Sequence, residues 1–474
     1  MDELKEDCGV FGIWDDNDAA KLTYLGLYAL QHRGQESAGI AISDGTKLYS
    51  YKQMGYVNEI FNEHVLAMFR GKNAIGHVRY STYGSSDLRN AQPFAVEYKA
   101  GGLAIAHNGN IVNYETIRTR LENEGSIFQS TMDTEVIVHL VAKSNRETLH
   151  ERLAEALNEI RGAYSLLVLT ENELIAVRDP YGFRPLVIGT INDKFVFASE
   201  TCAFDLIGAK YMRDVLPGEM IMVNKSGMRS YRFSDRTTRG AQCVFEHIYF
   251  ARPDSIVFGK SVYSIRVELG KMLGKESPAD ADIIVPVPDS GVPAAIGYAQ
   301  QTGIPFQMAL IRNHYVGRTF IQPQQSIRDF NVRVKLNPIS ELIEGKEIVV
   351  IDDSIVRGTT SRKLIKMIRD AGAKKVHFRI SSPPITSSCY YGIDTPTKEE
   401  LIAANHALKE INAFIGADSL AYLSLEGLRA VVRYDADNFC YACFNGDYPE
   451  PFETSKRDHQ LILFDDERSM GNGQ

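Results

Sequence analysis

EIVVIDDSIVRGTT, residues 347–360, decides how the second half of this 474-residue chain is read. The apolar run predicts a buried strand, and the chain leaves it at the carboxyl edge, where open α/β sheets bind their ligands. Asp352 and Asp353 stand side by side at that edge. Adjacent carboxylates repel unless a cation or donor hydroxyls meet them, so the pair suits Mg2+ or a sugar diol. Arg357, Gly358, Thr359 and Thr360 follow and open the helical pattern SRKLIKMIRDAG, which Gly372 closes. Backbone N–H groups and hydroxyls at a helix N-terminus make a phosphate site. A plainer reading makes Thr360 only an N-cap and the acid pair a solvated turn. Acid pair, glycine and hydroxyls meeting at one strand end favour the phosphate.

Upstream, ADIIVPVP leads through DSG into VPAAIGYAQQTG, where Pro293 suits a first helical turn and Gly303 a stop. Successive strand–loop–helix units predict a parallel sheet covered by helices. Pro286 and Pro288 disfavour a fully hydrogen-bonded central strand at that point. Residues 8 to about 230 have a different rhythm, with strand-like LAIAH, YSLLVLT, ELIAVRD and KFVFASE and helical YETIRTRLENEG and TEVIVHLVAKS. That mixture predicts an α+β sandwich of sheets with flanking helices. The polar stretch SDRTTRGAQ, residues 234–242, marks the expected boundary.

Composition removes several classes. Lys and Arg number 52 against 60 Asp and Glu, a net charge of −8. That balance gives no support to a nucleic-acid or anionic-membrane surface. Gly and Pro are near average, against collagen-like or disordered sequence. Apolar runs fall far short of the ~20 residues of a bilayer span. MDELKEDCGV is acidic and without an apolar stretch, unlike a secretory signal. A soluble, cytoplasmic protein is expected.

Six cysteines stand at 8, 202, 243, 389, 440 and 443. In a reducing compartment they are not expected to form structural disulfides. Cys440 and Cys443 form a C-x-x-C, a spacing that serves a metal centre or a redox pair. With Cys243 and Cys389 they could close a Zn or an iron–sulfur site, or all could be buried apolar thiols. Spacing alone leaves these readings open.

The 347–360 segment resembles the phosphoribosyl-pyrophosphate signature of type I phosphoribosyltransferases. The resemblance implies that Asp352 and Asp353 contact the ribose hydroxyls and that Arg357, Gly358, Thr359 and Thr360 cradle the 5′-phosphate. VPDSG then nominates Asp289 and Ser290 for diphosphate and metal, with Mg2+ held by Ser290, Asp352 and Asp353. RNHYVGRTFIQP, carrying Arg312, His314 and Arg318 around Gly317, resembles that family's lid over diphosphate.

In the first half CGVFGI (from Cys8), QHRGQESAGI (31–40), GHVRYST (76–82), AHNGN (106–110) and STMDTE (130–135) resemble the Ntn-type glutaminase domain of class II amidotransferases. The implied fold is an αββα sandwich, with Cys8 as nucleophile. A thiol needs a base, and an α-amino group freed before Cys8 is roughly a tenth neutral at pH 7. An ordinary lysine is neutral about once in 2,500 molecules. Removal of residues 1–7 as a propeptide is therefore expected. The resemblance also implies an oxyanion hole from Asn108 and the Gly109 N–H, Arg79 on the substrate carboxylate, and Asp133 on its α-amino group. A simpler role for Asp133 is a helix N-cap.

Together the motifs resemble the amidophosphoribosyltransferase family, in its class with a propeptide and a [4Fe–4S] cluster. This implies the reaction of L-glutamine, 5-phosphoribosyl 1-diphosphate and water to 5-phosphoribosylamine, L-glutamate and diphosphate, which opens de novo purine synthesis. It further implies one Mg2+ and one [4Fe–4S] cluster per subunit, the latter on Cys243, Cys389, Cys440 and Cys443. Feedback inhibition by purine nucleotides and a homotetramer are also implied. The expected layout is a propeptide at 1–7, a glutaminase domain at 8–235, a phosphoribosyltransferase domain at 236–455 and a tail at 456–474. Rival readings are another class II amidotransferase, such as one aminating fructose 6-phosphate, a non-catalytic phosphoribosyl-pyrophosphate sensor, and an iron–sulfur redox switch.

Overall fold

The computed structural model describes residues 8–80, 87–234, 239–313 and 336–450. The first half is a four-layer sandwich. Strands Gly9–Ile13, Ser37–Ser43, Leu48–Met54, Asn73–Arg79, Val187–Ile191, Lys194–Ala198 and Lys210–Asp214 form one antiparallel sheet. Phe94–Tyr98, Gly101–Ile111, Gly162–Leu169, Glu173–Arg178, Glu219–Asn224 and Gly227–Arg232 form the other. Period-two alternation gives each strand two apolar faces to bury. Val10, Ile75, Ala104, Ala106, Leu167 and Ala176 fill the layer between the sheets. Phe11, Ile13, Ala38 and Ile40 turn the other way, against Leu27 of helix Ala19–Ala29 and Phe204 of helix Cys202–Ile207. Helices Tyr114–Asn123, Glu135–Lys143 and Leu149–Glu159 cover the second sheet. In the first of these, Tyr114, Ile117 and Leu121 are the buried stripe of an otherwise polar helix.

The second half holds a four-stranded, wholly parallel sheet in the order Ile283–Pro286, Glu347–Asp352, Lys375–Ile380, Ser419–Tyr422. A lone parallel bridge sets Phe306 beside Ile284 on the far side. In chain order the spatial sequence is therefore second, first, third, fourth, fifth. The order reverses between 283–286 and 347–352, the crevice where doubly wound sheets take their ligand. Strand 283–286 ends at Pro286 and, apart from the Phe306 bridge, is paired along one side only. That edge position explains how it tolerates the prolines. Helices Val262–Glu276, Val292–Thr302 and Leu425–Val432 cover one face, and Thr359–Asp370 and Leu408–Ile415 the other. Among the described residues no helix is long and apolar enough to cross a membrane.

Candidate active site

Cys8 lies at the start of the central strand Gly9–Ile13, buried, with its thiol directed at the Tyr80 carbonyl 3.5 Å away. Its own carbonyl accepts from Arg33 Nε at 3.2 Å. Residues 1–7, the expected propeptide, lie outside the described residues. Arg79 ends the neighbouring strand Asn73–Arg79, is 3% exposed, and stands 3.8 Å from Glu36.

Asn108 sits on the long strand Gly101–Ile111, fully buried, paired in register with Ser165. Neither polar atom of its carboxamide has a hydrogen-bond partner among the described residues. A buried amide left unbonded costs on the order of 1–3 kcal/mol, so such a group is usually kept for a ligand. Gly109 follows with φ +150°, and a β-carbon there would meet the Ala163 carbonyl oxygen at 2.0 Å. Only glycine fits there.

Asp133 does not cap the helix after it. Its Oδ2 accepts from Ile111 N at 2.9 Å and its Oδ1 from Thr134 Oγ1 at 3.1 Å, with His107 Nδ1 at 3.6 Å. Burial pushes its carboxyl upward, but His107 and these hydrogen bonds win and hold it below the usual range. An anionic group is thus kept next to the Asn108 strand, suited to an ammonium.

In the second half, Ser290 Oγ donates to Asp353 Oδ1 at 2.6 Å across the strand-order reversal, and Ser354 Oγ donates to Asp353 Oδ2 at 2.5 Å. The two strand ends, 63 residues apart, are joined there. Burial pushes the Asp353 carboxyl up, against the pull of the two hydroxyls and of Arg266. Asp352 is half-buried beside it. Gly358, at φ +77°, is the residue preceding helix Thr359–Asp370 and takes the N-cap position that the plainer reading gave to Thr360. Thr359 and Thr360 open the first turn, half-buried. Arg357 is held by Glu400 at 3.0 Å, and Asp289 by Arg312 at 2.7 Å. His314, Gly317 and Arg318 lie outside the described residues.

Cys243, Cys389, Cys440 and Cys443 line one small cavity with Phe183, Arg184 and Tyr391. Cys243 and Cys440 are brought level by parallel pairing of 242–243 with 439–440. Burial pushes the Cys440 thiol up to about 12 and raises Cys243 and Cys443 as well. Among the described residues no three His, Cys, Asp or Glu side chains meet tightly enough for a single ion. A tetrahedral zinc at about 2.3 Å from each sulfur needs the sulfurs within about 3.8 Å of one another. Four cysteine sulfurs around one cavity are the donor set of a thiolate-bound metal centre. Cys202 is apart, 3% exposed in the helix-side core near Ala29 and Glu200.

Sequence reading missed one constellation. Arg33 is gripped by both oxygens of Glu246, at 2.7 and 3.0 Å, and by Glu200. Arg184 bonds Glu246 at 3.3 Å and the Tyr391 carbonyl at 2.9 Å. Arg33 stands within the quoted QHRGQ, but no local pattern marks Glu246, 213 residues away.

Residues 77–205 match the family described as glutamine amidotransferase domain, and residues 271–381 the phosphoribosyl transferase domain. The amidophosphoribosyltransferase of Bacillus subtilis is 52% identical, covering 94% of each chain. The chain belongs to the amidophosphoribosyltransferase family. Amidophosphoribosyltransferase 1, chloroplastic, of Arabidopsis thaliana is 55% identical over 94% of this chain and 79% of that protein. The B. subtilis glutamine phosphoribosylpyrophosphate amidotransferase solved with ADP and GMP superposes at a TM-score of 0.90, with 51% identity, over 94% of this chain and 98% of that one. Both expected folds are those of this family, an Ntn-type sandwich and a phosphoribosyltransferase sheet. The activity is glutamine-dependent transfer of an amino group to 5-phosphoribosyl 1-diphosphate, giving phosphoribosylamine for purine synthesis.

Proposed function

We propose that Cys8 is the nucleophile of this reaction and that Asn108 and Gly109 form its oxyanion hole. The observation that carries the assignment is the buried, unbonded carboxamide of Asn108. Once residues 1–7 are removed, the Cys8 α-amine takes the thiol proton and the sulfur attacks the glutamine amide carbon. Charge developing on the amide oxygen is met by Asn108 Nδ2 and the Gly109 N–H. The α-ammonium returns its proton to the departing nitrogen, ammonia leaves, and water hydrolyses the thioester to glutamate. Arg79 holds the substrate carboxylate bidentately and Asp133 its α-ammonium.

The ammonia displaces diphosphate at C1 of the ribose. Asp352 and Asp353 orient the ribose hydroxyls, and Arg357, Gly358, Thr359 and Thr360 bind the 5′-phosphate at the helix N-terminus. Arg318 would contribute its charge to binding phosphoribosyl pyrophosphate. Ser290, Asp352 and Asp353 would hold Mg2+, which offsets diphosphate charge when bound. Ammonia released to bulk water would become ammonium, without a lone pair, so the passage between the sites must exclude water. Cys243, Cys389, Cys440 and Cys443 would hold a [4Fe–4S] cluster, which ties residue 243 to the C-terminal region. The functional domains run over 8–235 and 236–455, with a tail at 456–474. Purine nucleotides, as bound by the B. subtilis relative, inhibit a homotetramer. The setting is cytoplasmic.

One experiment tests the whole reading: glutamate release from glutamine, with and without phosphoribosyl pyrophosphate, by wild type and Cys8→Ala. Wild type purified without oxygen should carry iron, begin at Cys8 by intact mass, and release glutamate. Cys8→Ala should release none yet still aminate the sugar from ammonia. Glutamate release by Cys8→Ala, or an active wild type that retains Met1, sinks the assignment.

A further inference from the structure

If Cys8 is the nucleophile, as proposed above, cleavage before it leaves a terminal residue tethered to the fold by a single covalent link, the bond to Gly9. A chain end has freedom that an attacking thiol cannot use, because a misplacement of about 1 Å costs on the order of 100-fold in rate. Something must fix the residue from its other side. Arg33 Nε does so by donating to the Cys8 carbonyl at 3.2 Å.

What holds Arg33 comes largely from outside the sandwich. Glu246 begins the π-helical turn Glu246–Phe250, past the last sandwich strand, and engages Arg33 with both carboxylate oxygens. Glu200, on the other flank, is itself fastened by Arg252 N at 2.9 Å and Ser255 Oγ at 2.7 Å. Glu246 also accepts from Arg184, whose Nε donates to the Tyr391 carbonyl at 2.9 Å. The loop around Tyr391 touches the proposed oxyanion strand too. Asn110 Nδ2 donates to the Tyr390 carbonyl at 2.9 Å, and a β-carbon on Gly392 would lie 3.2 Å from Gly109 Cα. Arg33, Arg184, Glu200 and Glu246 are all at most 1% exposed. A buried network of four charges is a poor device for stability alone, since desolvation offsets most of its attraction. It is a good device for fixing one geometry.

We propose that Glu246 and Arg184 are positioning residues of the glutaminase reaction, and that through Arg33 they set the Cys8 carbonyl from residues 246 and 390–392 of the second half. The amidotransferase nucleophile is then held in register by the part of the chain that consumes its product. The loop that carries Cys389 is the common anchor of nucleophile and oxyanion hole.

The test compares Glu246→Gln and Arg184→Lys with wild type and Cys8→Ala in the full-length matured holoenzyme. Three rates are read: glutamine-dependent turnover, ammonia-dependent turnover, and alkylation of Cys8 by iodoacetamide located by peptide mass. Either substitution should lower glutamine-dependent kcat by about 10–100-fold and change KM for glutamine by less than about threefold. Alkylation of Cys8 should slow in parallel, while the ammonia-dependent rate stays within about twofold. Glutamine-dependent kcat within about twofold of wild type in both variants overturns the proposal. So does an equal loss of both activities in both, since the network would then serve folding only. Persisting glutamate release by Cys8→Ala would strike the nucleophile reading itself, which separates the two failures.

Discussion

The two candidate sites are built by opposite strategies. The phosphoribosyl pocket draws Asp352, Asp353, Arg357, Gly358, Thr359 and Thr360 from nine consecutive residues at one strand end, and adds Ser290 from the adjoining strand. The glutaminase site assembles Cys8, Arg79, Asn108 and Asp133 from three strands and a helix approach, all of them buried. A pocket for a highly charged, water-soluble substrate can be a backbone loop open to solvent. A site that must orient a nucleophile and keep the released ammonia out of bulk water needs walls, and walls come from distant parts of the chain.

The sharpest way to separate the two is Asp353→Asn. Losing the charge that Ser290 and Ser354 surround should lower both glutamine- and ammonia-dependent synthesis by about 100–1000-fold, while basal glutamate release persists. If ammonia-dependent synthesis survives unchanged, the pocket has been misplaced. Asn108→Ala should do the converse, with glutamine turnover down about 100–1000-fold and ammonia turnover intact. An effect confined to KM for glutamine would mean that Asn108 binds substrate and does not meet the oxyanion.

A smaller effect tests the buried charges beneath Cys8. Burial opposes ionisation of Glu200, yet His32 and Arg33 outweigh it and hold the carboxyl far below its ordinary range. A depressed carboxylate contributes stability that is complete above its unfolded pKa of about 4.3 and is lost as pH falls below that value. Glu200→Gln should therefore lower Tm near pH 7, and the gap from wild type should narrow between about pH 5 and about pH 3.5. A gap independent of pH would show that Glu200 acts by shape and not by charge.

Legibility followed the same divide. The Asp352–Thr360 loop is contiguous, so its strand, acid pair and helix start are printed in order, and the structure has the strand end at Asp352 and the helix begin at Thr359 behind Gly358. Cys8, Asn108 and Asp133 have no local signature that distinguishes them from a core thiol, a turn and a cap. Their assignment rests on family resemblance. Asp133 shows the cost of a local reading: its carboxylate faces Ile111 N, 22 residues back, and not the helix it precedes.

The sequence by itself determined the strand and helix rhythm of both halves, the phosphate loop, and the presence of four thiols able to share one centre. Tertiary structure alone decided that Asn108 would be buried without a partner, that Asp353 would meet Ser290, and that Glu246 would reach Arg33. Periodicity records what neighbours along the chain do to one another. Whether a buried polar group is satisfied depends on residues tens to hundreds of positions away, and those meet only when the sheets close.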